Sequence, residues 1–336
     1  MTELFRHIGP SVDVPAGDDT RSGWRTVARW FTDDDARPGV RRLRSREIVS
    51  QPCSQPDPRV LDAVLGAGVG PRREVLGVLG DDGTVHVAHR AADTDVRRGR
   101  GRASGRAAAT RARARTAAGR RWELALGGPM VERRVGSRRW LVPVNAFWQA
   151  HRSAASHYSD LVGAAVADAP GVSTDPVVWD LYGGAGVFGA AARDAFAGAH
   201  ITVVESAQGS LTAATETLGA DAGIHTVRSR VETFLESGPT GTTQSTEDGA
   251  RPVSDGADIV ILDPPRGGAG IPVMQVLASA TRSRIIHVGC DPASLARDVG
   301  VLVSAGWQLR DLRGVAAFPG THHVEGVAVL DAPGRT

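Results

Sequence analysis

Short runs in which bulky and polar side chains alternate fill much of the first 145 residues. Residues 24–30 alternate as a half-buried β-strand does. Residues 75–80 form a second apolar run, which ends at a turn through residues 81–83. These patterns predict a small α+β or β-rich domain over residues 23–145, preceded by a loose N-terminus at residues 1–22.

From residue 146 onward, apolar runs alternate with Ala-rich helical stretches, two of which span residues 188–196 and 211–218. Parallel strands that are buried on both faces are continuously apolar, and helices connect them. The pattern therefore predicts an α/β domain over residues 146–336, with a doubly wound, Rossmann-like sheet that residues 307–330 complete. The four predicted parallel strands are residues 177–181, 201–204, 258–262 and 284–288.

Two segments interrupt these patterns. Residues 97–121 are rich in Arg, with Ala, Gly and Thr between them. They form either a flexible arm that contacts phosphates or a solvated, disordered insertion, and the lack of aromatic residues argues against base stacking. Residues 236–256 are rich in Gly, Ser, Thr and Asp, which predicts a loop insertion.

Composition excludes several classes of protein. Hydrophobic residues make up 41% of the 336 residues, which is enough for a sizeable core. The net charge is only +2, so no overall basic field indicates a nucleic-acid partner. Every residue of the Lys and Arg count is Arg. Cys53 and Cys290 alone form neither a disulfide framework nor a Cys-rich metal site. No apolar run reaches the roughly 18 residues that a membrane span needs, so we expect a cytoplasmic protein.

A glycine motif follows the first predicted strand of the α/β domain. Residues 184–189 match Gly-x-Gly-x-x-Gly, and Glu205 ends the next strand. This arrangement fits a dinucleotide site or an S-adenosylmethionine site. Asp180 suits the cationic amino-acid end of S-adenosylmethionine and would repel a pyrophosphate, so we favour the methyl donor. In the alternative interpretation, Asp180 only caps the following turn.

Three further side chains with useful chemistry come at or next to strand ends. Asp263 precedes two prolines, which fix the backbone of its loop. Cys290 follows the last parallel strand, and Glu325 lies further along the chain. A thiol and two carboxylates so placed indicate covalent catalysis on a base ring, whereas a lone cysteine is by default a small buried hydrophobe.

In this order, the motifs resemble the S-adenosylmethionine-dependent RNA uracil-C5 methyltransferases, which make 5-methyluridine in tRNA or ribosomal RNA. The resemblance covers residues 146–330 well and residues 23–53 more weakly. It implies a class I methyltransferase fold, S-adenosylmethionine as cofactor and an RNA substrate. The motifs are Phe147-Trp148-Gln149, residues 180–186, Glu205, Asp263-Pro264-Pro265-Arg266, residues 290–298 and residues 318–325.

The resemblance also implies a role for individual residues. Cys290 matches the nucleophile that adds to C6 of uracil, and Glu325 matches the base that removes the C5 proton. The residues that match the methyl-donor contacts are Gln149, Tyr182, Glu205 and Asp263.

Several positions depart from the family pattern. Gly289 and Asp291 replace the usual Ser and Asn around the nucleophile, and Asp291 is expected to raise the pKa of the thiol. Gly183 replaces a usual Cys, and Val187 replaces a polar residue that supports donor binding. We expect neither the family's N-terminal oligonucleotide-binding barrel nor its iron–sulfur cluster, since only Cys53 remains of such a cluster.

The sequence leaves three hypotheses. The first is a monomeric RNA uracil-C5 methyltransferase, without a metal, because the adjacent His322 and His323 have no obvious third ligand. The second is a catalytically weakened homologue that still binds RNA. The third is an NAD-dependent enzyme, which rests on the glycine motif alone.

Overall fold

The computed structural model describes residues 11–13, 22–42, 45, 47–50, 53–92, 121–237 and 255–334. The chain divides into two compact units. Thr20–Arg133 and Pro143–Arg152 form the N-terminal unit, whereas Met1–Asp19, Arg134–Val142 and Ser153–Thr336 form the C-terminal unit.

This division differs from a single boundary between residues 145 and 146. Residues 134–142 belong to the C-terminal unit, and residues 146–152 belong to the N-terminal unit. The strands β8 (Met130–Val135) and β9 (Arg138–Pro143) pair in this stretch as a two-stranded sheet. The chain therefore passes between the units more than once, which a boundary at one position cannot reproduce.

An antiparallel six-stranded sheet forms most of the N-terminal unit. The elements of the unit are β2 (Val27–Thr32), β3 (Pro38–Arg41), β4 (Ile48–Val49), α1 (Pro58–Gly66), β5 (Arg73–Leu79), β6 (Val85–Ala91) and β7 (Glu123–Leu126). The strand order is β4-β3-β2-β5-β6-β7. Trp30 and Ala28 of β2 are buried while Arg29 between them is exposed, so the predicted alternation is confirmed.

An eight-stranded sheet forms the centre of the C-terminal unit. Its strands are β1 (Ser11–Asp13), β10 (Val177–Leu181), β11 (His200–Glu205), β12 (Ile224–Arg228), β13 (Ala257–Leu262), β14 (Thr281–Gly289), β15 (Gln308–Val315) and β16 (Glu325–Asp331). The helices of the unit are α2 (Ala154–Ala167), α3 (Val187–Ala195), α4 (Gln208–Leu218), α5 (Val231–Ser237), α6 (Ile271–Ala280) and α7 (Pro292–Ser304).

The strand order is β1-β15-β16-β14-β13-β10-β11-β12. Strands β10 to β14 are parallel, and β16 runs antiparallel to its neighbours β14 and β15. The chain leaves β10 toward β11 and β12 and returns on the other side of β10 as β13, so the order reverses between β10 and β13. Ligands of open α/β sheets bind at the carboxyl ends of the strands beside such a reversal.

Strand β10 shows why the sheet has helices on both faces. Val177, Trp179 and Leu181 lie in one apolar cluster with residues of α5, α6 and α7, and Trp179 meets Phe234 of α5 edge-on at a centroid distance of 5.4 Å. Asp180, between them, points toward α3 on the opposite face. Successive side chains of a strand alternate between faces, so a continuously apolar strand requires helices on both sides.

Some predicted segments fall outside the described residues. Of the arginine-rich segment, residues 97–121, only Arg121 is described, and of the predicted loop only Glu236, Ser237 and residues 255–256 are described. None of the helices in the described parts of the chain combines the length and the apolar character needed to cross a bilayer.

Candidate active site at the carboxyl ends of the strands

The chain leaves β10 through a tight segment, residues 182–186, which we call the glycine loop. Tyr182 has φ of +59°, Gly184 has +56° and Gly186 has +77°. A non-glycine residue in this left-handed region is uncommon, and such residues cluster at functional sites. Apart from its chain neighbours, no described residue has an atom within 4 Å of the place where a Cβ of Gly184 would be, so the backbone there faces open space.

Two side chains hold the glycine loop in place. The indole N–H of the buried Trp140 donates to the carbonyl of Ala185 at 2.8 Å. Glu205, the last residue of β11, accepts from the N–H of Gly184 at 3.1 Å through Oε2 and from the Ser206 hydroxyl at 3.2 Å through Oε1. The strand end thus places a carboxylate against the backbone of the loop.

Asp180 occupies a different environment from the one expected for a cofactor contact. Its side chain is fully buried, and Oδ2 accepts from the N–H of Gly189 in α3 at 2.8 Å. Burial, and then the charge of Glu205, raises the pKa of this carboxyl to about 7. The hydrogen bond supports the alternative interpretation, in which Asp180 fastens the turn into α3.

Asp263 follows β13 and lies beside the glycine loop. Its N–H donates to the carbonyl of Leu181 at 3.3 Å, which continues the pairing of β13 with β10 by one residue. Pro264 and Pro265 then end the strand, because proline has no N–H to donate. Burial is the main reason that the pKa of Asp263 rises to about 8, and the charges of Glu325 and Asp180 raise it further.

Asp298 holds the segment after the two prolines. It is fully buried in α7 and accepts from the N–H of Ala269 at 2.7 Å and from His287 Nε2 at 3.2 Å. Arg297 also donates to it at 2.7 Å, and these contacts lower its pKa against the effect of burial. The sequence analysis gave Asp298 no role, although a carboxylate among the buried positions Leu295, Val299 and Leu302 of one helix is a recognisable signal.

The pairing of β14 with β16 brings Cys290 and Glu325 together. Gly289, the last residue of β14, is the Cα partner of Gly326. Cys290 comes directly after Gly289, and Glu325 comes directly before Gly326. Residues that follow one another outward from a paired position stay opposite in an antiparallel ladder. Both side chains therefore lie where the parallel strands β13 and β14 have their carboxyl ends, and Asp263 follows β13 at the same end of the sheet.

Small residues let helix α7 approach this edge. A Cβ at Gly326 would lie 2.5 Å from Leu295 Cδ2, and one at Gly289 would lie 3.0 Å from Leu295 Cβ. The glycines on both strands thus make room for Leu295, and the helix begins beside the thiol. Asp291 caps this helix, because its carboxylate accepts from the N–H of Ser294 at 2.8 Å.

The Cys290 thiol is half-buried, and its pKa is raised above the usual value. Burial is the largest cause, followed by the charges of Glu325 and Asp263, whereas Arg266 acts in the opposite direction. The carboxylates that raise the pKa of the thiol thus lie at the ends of β13 and β16, the two strands on either side of β14. Asp291, expected to have this effect, has its own carboxylate engaged in capping α7, and its pKa is lowered.

Glu325 is almost completely buried, with 5% of its surface exposed. The hydroxyl of the fully buried Tyr158 in α2 donates to its Oε2. Burial raises the pKa of Glu325, and the hydroxyl and Arg266 partly counteract that rise. We call Asp263, Cys290, Glu325 and Tyr158 the acidic cluster. The sequence analysis named the first three residues and missed Tyr158.

Comparisons with known proteins show the family. A protein of Corynebacterium efficiens, named as an uncharacterized RNA methyltransferase, is 35% identical over 98% of this chain and 72% of its own length. A protein of Corynebacterium glutamicum with the same description is 34% identical over 92% of this chain and 68% of its own length. The chain belongs to this family of RNA methyltransferases. No family model matches the chain.

The fold of this RNA methyltransferase is similar to that of a solved structure. The tRNA (uracil-54, C5)-methyltransferase of Pyrococcus abyssi, in complex with S-adenosyl-L-homocysteine, aligns with a TM-score of 0.64 and 19% identity. The alignment covers 98% of this chain and 81% of that one. The predicted fold, a class I methyltransferase sheet preceded by a β-rich domain, is therefore confirmed.

Gln149 is the one predicted site residue of the RNA methyltransferase that belongs to the N-terminal unit. It is half-buried in the irregular segment that follows β9. The other five residues, Tyr182, Glu205, Asp263, Cys290 and Glu325, belong to the C-terminal unit and follow, end or begin strands of its sheet. The role of Gln149 in binding the methyl donor stays a prediction.

Proposed function

We propose that this RNA methyltransferase transfers a methyl group from S-adenosylmethionine to C5 of a uridine in tRNA or ribosomal RNA. The observation that carries the proposal is the meeting of Cys290 and Glu325 at the paired ends of β14 and β16. A nucleophile and a base on two adjoining strand ends are the two groups that methylation of a pyrimidine at C5 requires.

The glycine loop fits S-adenosylmethionine. The backbone of Gly184 faces open space, and the partly exposed Glu205 at the neighbouring strand end suits ribose hydroxyls. Tyr182, Asp263 and Gln149 are the other residues that we assign to the cofactor, by their match to the family. When bound, S-adenosylmethionine supplies the electrophilic methyl group. NAD is disfavoured because the relatives are methyltransferases.

Cys290 makes C5 of the base reactive. Uracil C5 is too weak a nucleophile to accept a methyl group directly, so the thiolate of Cys290 adds to C6 and leaves an enolate whose charge reaches C5. Covalent catalysis of this kind divides one difficult step into two easier ones. The ring must be extruded from its stack for the sulfur to reach it.

Glu325 completes the reaction. After C5 carries the methyl group, the carboxylate takes the C5 proton. As the electrons of that C–H bond form the C5–C6 double bond, the C6–S bond breaks, and sulfur leaves as a thiolate. A buried carboxyl with a raised pKa is a stronger base than an exposed one once it is ionised, which suits the removal of a carbon-bound proton.

The raised pKa of the Cys290 thiol favours a second candidate function. A thiol with a raised pKa is less ionised at neutral pH, and the thiolate is the nucleophile. A homologue in which this effect dominates would bind RNA and methylate it slowly. The charge of Arg266 acts against it by lowering the thiol pKa, as does a backbone hydrogen bond at Cys290.

The test is the formation of 5-methyluridine. Unmodified tRNA and ribosomal RNA are incubated with the protein and S-adenosylmethionine, then digested to nucleosides for mass spectrometry. The Pyrococcus abyssi enzyme acts on a tRNA, so tRNA is the first substrate to use. We expect 5-methyluridine, and binding of S-adenosylhomocysteine but not of NAD. RNA binding without a methylated nucleoside would support the second candidate, and NAD binding would contradict both.

A further inference from the structure

We propose that Tyr158 is a positioning residue for Glu325, holding one carboxylate oxygen so that the other receives the C5 proton. This inference rests on the proposed function, and it adds a residue from α2 to the site formed by the strand ends. Its basis is the hydrogen bond from the Tyr158 hydroxyl to Glu325 Oε2.

The position of Tyr158 in its helix sets it apart. Ala154, Tyr158, Val162 and Val166 follow one another at intervals of four residues and form the buried stripe of α2. The other three residues are aliphatic, so an apolar residue at position 158 would be enough for packing. The tyrosine adds a hydroxyl to a completely buried face, and its partner is the carboxylate of Glu325.

The hydrogen bond leaves the carboxylate with two different oxygens. Oε2 accepts from Tyr158, while in the described parts of the chain no hydrogen bond reaches Oε1. A side chain that is fixed through one oxygen keeps the other at a constant place and angle. Such orientation contributes to catalysis because a reacting group is already in position.

The charged groups around Glu325 predict how the hydrogen bond affects its ionisation. Asp263 at the end of β13 and Cys290 at the end of β14 interact electrostatically with it, and Arg266 lowers its pKa. Besides these charged groups, the Tyr158 hydroxyl donates a hydrogen bond that favours the ionised carboxylate. Loss of the hydroxyl therefore raises the pKa of Glu325 further, and the base stays protonated up to a higher pH.

The experiment follows the decay of the covalent RNA adduct after a pH jump. Adduct is formed with full-length protein, tRNA and S-adenosylmethionine, then shifted to a series of pH values, and its decay to free 5-methyluridine RNA is measured. In the adduct the sulfur of Cys290 is bonded to C6, so ionisation of the thiol does not affect the decay. The pH dependence therefore reports the base.

For Tyr158→Phe we expect decay slower on the order of tenfold at acidic pH, because a hydrogen bond to a charged group is lost. The acidic limb of the pH profile moves to higher pH, and the rate recovers at alkaline pH. Val162→Ala, from the same buried stripe, is the matched control: it removes buried volume and leaves the profile in place.

Site-specific 3-fluorotyrosine at position 158 gives a second readout that preserves the side-chain shape. Its more acidic hydroxyl is a stronger donor, so the acidic limb moves to lower pH. An unshifted profile for both variants, or a loss of rate equal at every pH, would overturn the role of Tyr158. If the wild-type protein forms neither adduct nor 5-methyluridine, the proposed function itself fails, and that outcome is distinct.

Discussion

The glycine loop and the acidic cluster lie at the same edge of one sheet, yet their carboxylates are in opposite situations. At the glycine loop, backbone N–H groups donate to the acids, as Gly184 does to Glu205 and Gly189 does to Oδ2 of Asp180, whose buried Oδ1 has no hydrogen-bond partner among the described residues. In the acidic cluster, the charge of Glu325 raises the pKa of Asp263, and burial raises the pKa of both.

This difference supports the proposal that the glycine loop binds the methyl donor and that the acidic cluster carries out the reaction. Backbone donors that satisfy a carboxylate fix a loop in one conformation, which suits the holding of a cofactor. Carboxyls whose pKa is raised by burial stay protonated up to a higher pH than exposed carboxyls. Perturbed pKa values of this kind gather at catalytic sites. Asp180 departs from the pattern, because its pKa is also raised although it fastens the turn into α3.

The largest expected effect separates the two regions by chemistry. Glu325→Gln removes the proposed base, so turnover to free 5-methyluridine RNA falls by about 10² to 10⁴-fold, and the methylated adduct with unmodified RNA accumulates because its C5 proton stays in place. Gel electrophoresis of the protein–RNA adduct and nucleoside analysis measure the two changes. Glu216→Gln, on the exposed face of α4, is the control and retains activity. Normal turnover in Glu325→Gln would exclude this base.

The next prediction concerns the buried carboxylate that is fully satisfied. Asp298→Ala leaves the buried His287 and the N–H of Ala269 without their acceptor. We expect the free energy of unfolding to fall by about 3 kcal/mol, measured by urea denaturation at pH 7.

The same variant has a distinct pH dependence. The folded-state pKa of Asp298 lies below that of the unfolded chain, so its contribution to stability is present above the unfolded value. The wild type loses that contribution as the pH falls through the lowered pKa, and Asp298→Ala has none to lose. The two stabilities should therefore converge in acid. A constant difference down to the lowest pH would contradict the assignment.

The smallest effect tests the fit at the glycine loop. Gly183→Cys restores the residue usual in the resembling family, but a Cβ there would lie 2.7 Å from Val203 Cγ1 and 2.9 Å from Asp180 Cγ. We expect a loss of about 1 to 3 kcal/mol in the free energy of unfolding, because overpacking strains a filled site. Gly300→Ala is the control, since in the described parts of the chain only the backbone of α7 itself lies near its Cβ position. A fully stable Gly183→Cys would show that the turn has room to adjust.

The two regions also differ in how far the sequence reveals them. The glycine loop is local: the strand, the glycines and the helix follow one another within residues 177–195, so spacing alone places Gly184 and Gly186. Glu205 was found for the same reason, one strand later. At Asp180, residue type alone does not say whether a strand residue faces the ligand or the helix behind the sheet. Its contact with the methyl donor stays a prediction, beside the observed hydrogen bond to α3.

The acidic cluster is not local. The register that sets Gly289 opposite Gly326 joins residues 37 positions apart in the sequence, and spacing does not encode it. The residue types of Cys290 and Glu325 at strand ends predicted covalent catalysis on a base ring, and the resemblance to a family implied their individual roles. Tyr158 lies 167 positions before its partner in the sequence, and its place on an apolar stripe predicts packing only. The role of a buried polar group on such a stripe can be predicted only when the structure shows its hydrogen-bond partner.

The central claim is that the Cys290 sulfur bonds to the base during the reaction. The most direct measurement uses tRNA containing 5-fluorouridine, in which fluorine at C5 prevents the final elimination and the adduct persists. With S-adenosylmethionine present, the wild-type protein should form a stable protein–RNA complex on a denaturing gel. Cys53→Ala, which removes the other cysteine, should form it equally well, and Cys290→Ala should form none. A stable complex with Cys290→Ala, or none with a wild-type protein that makes 5-methyluridine, would contradict the account.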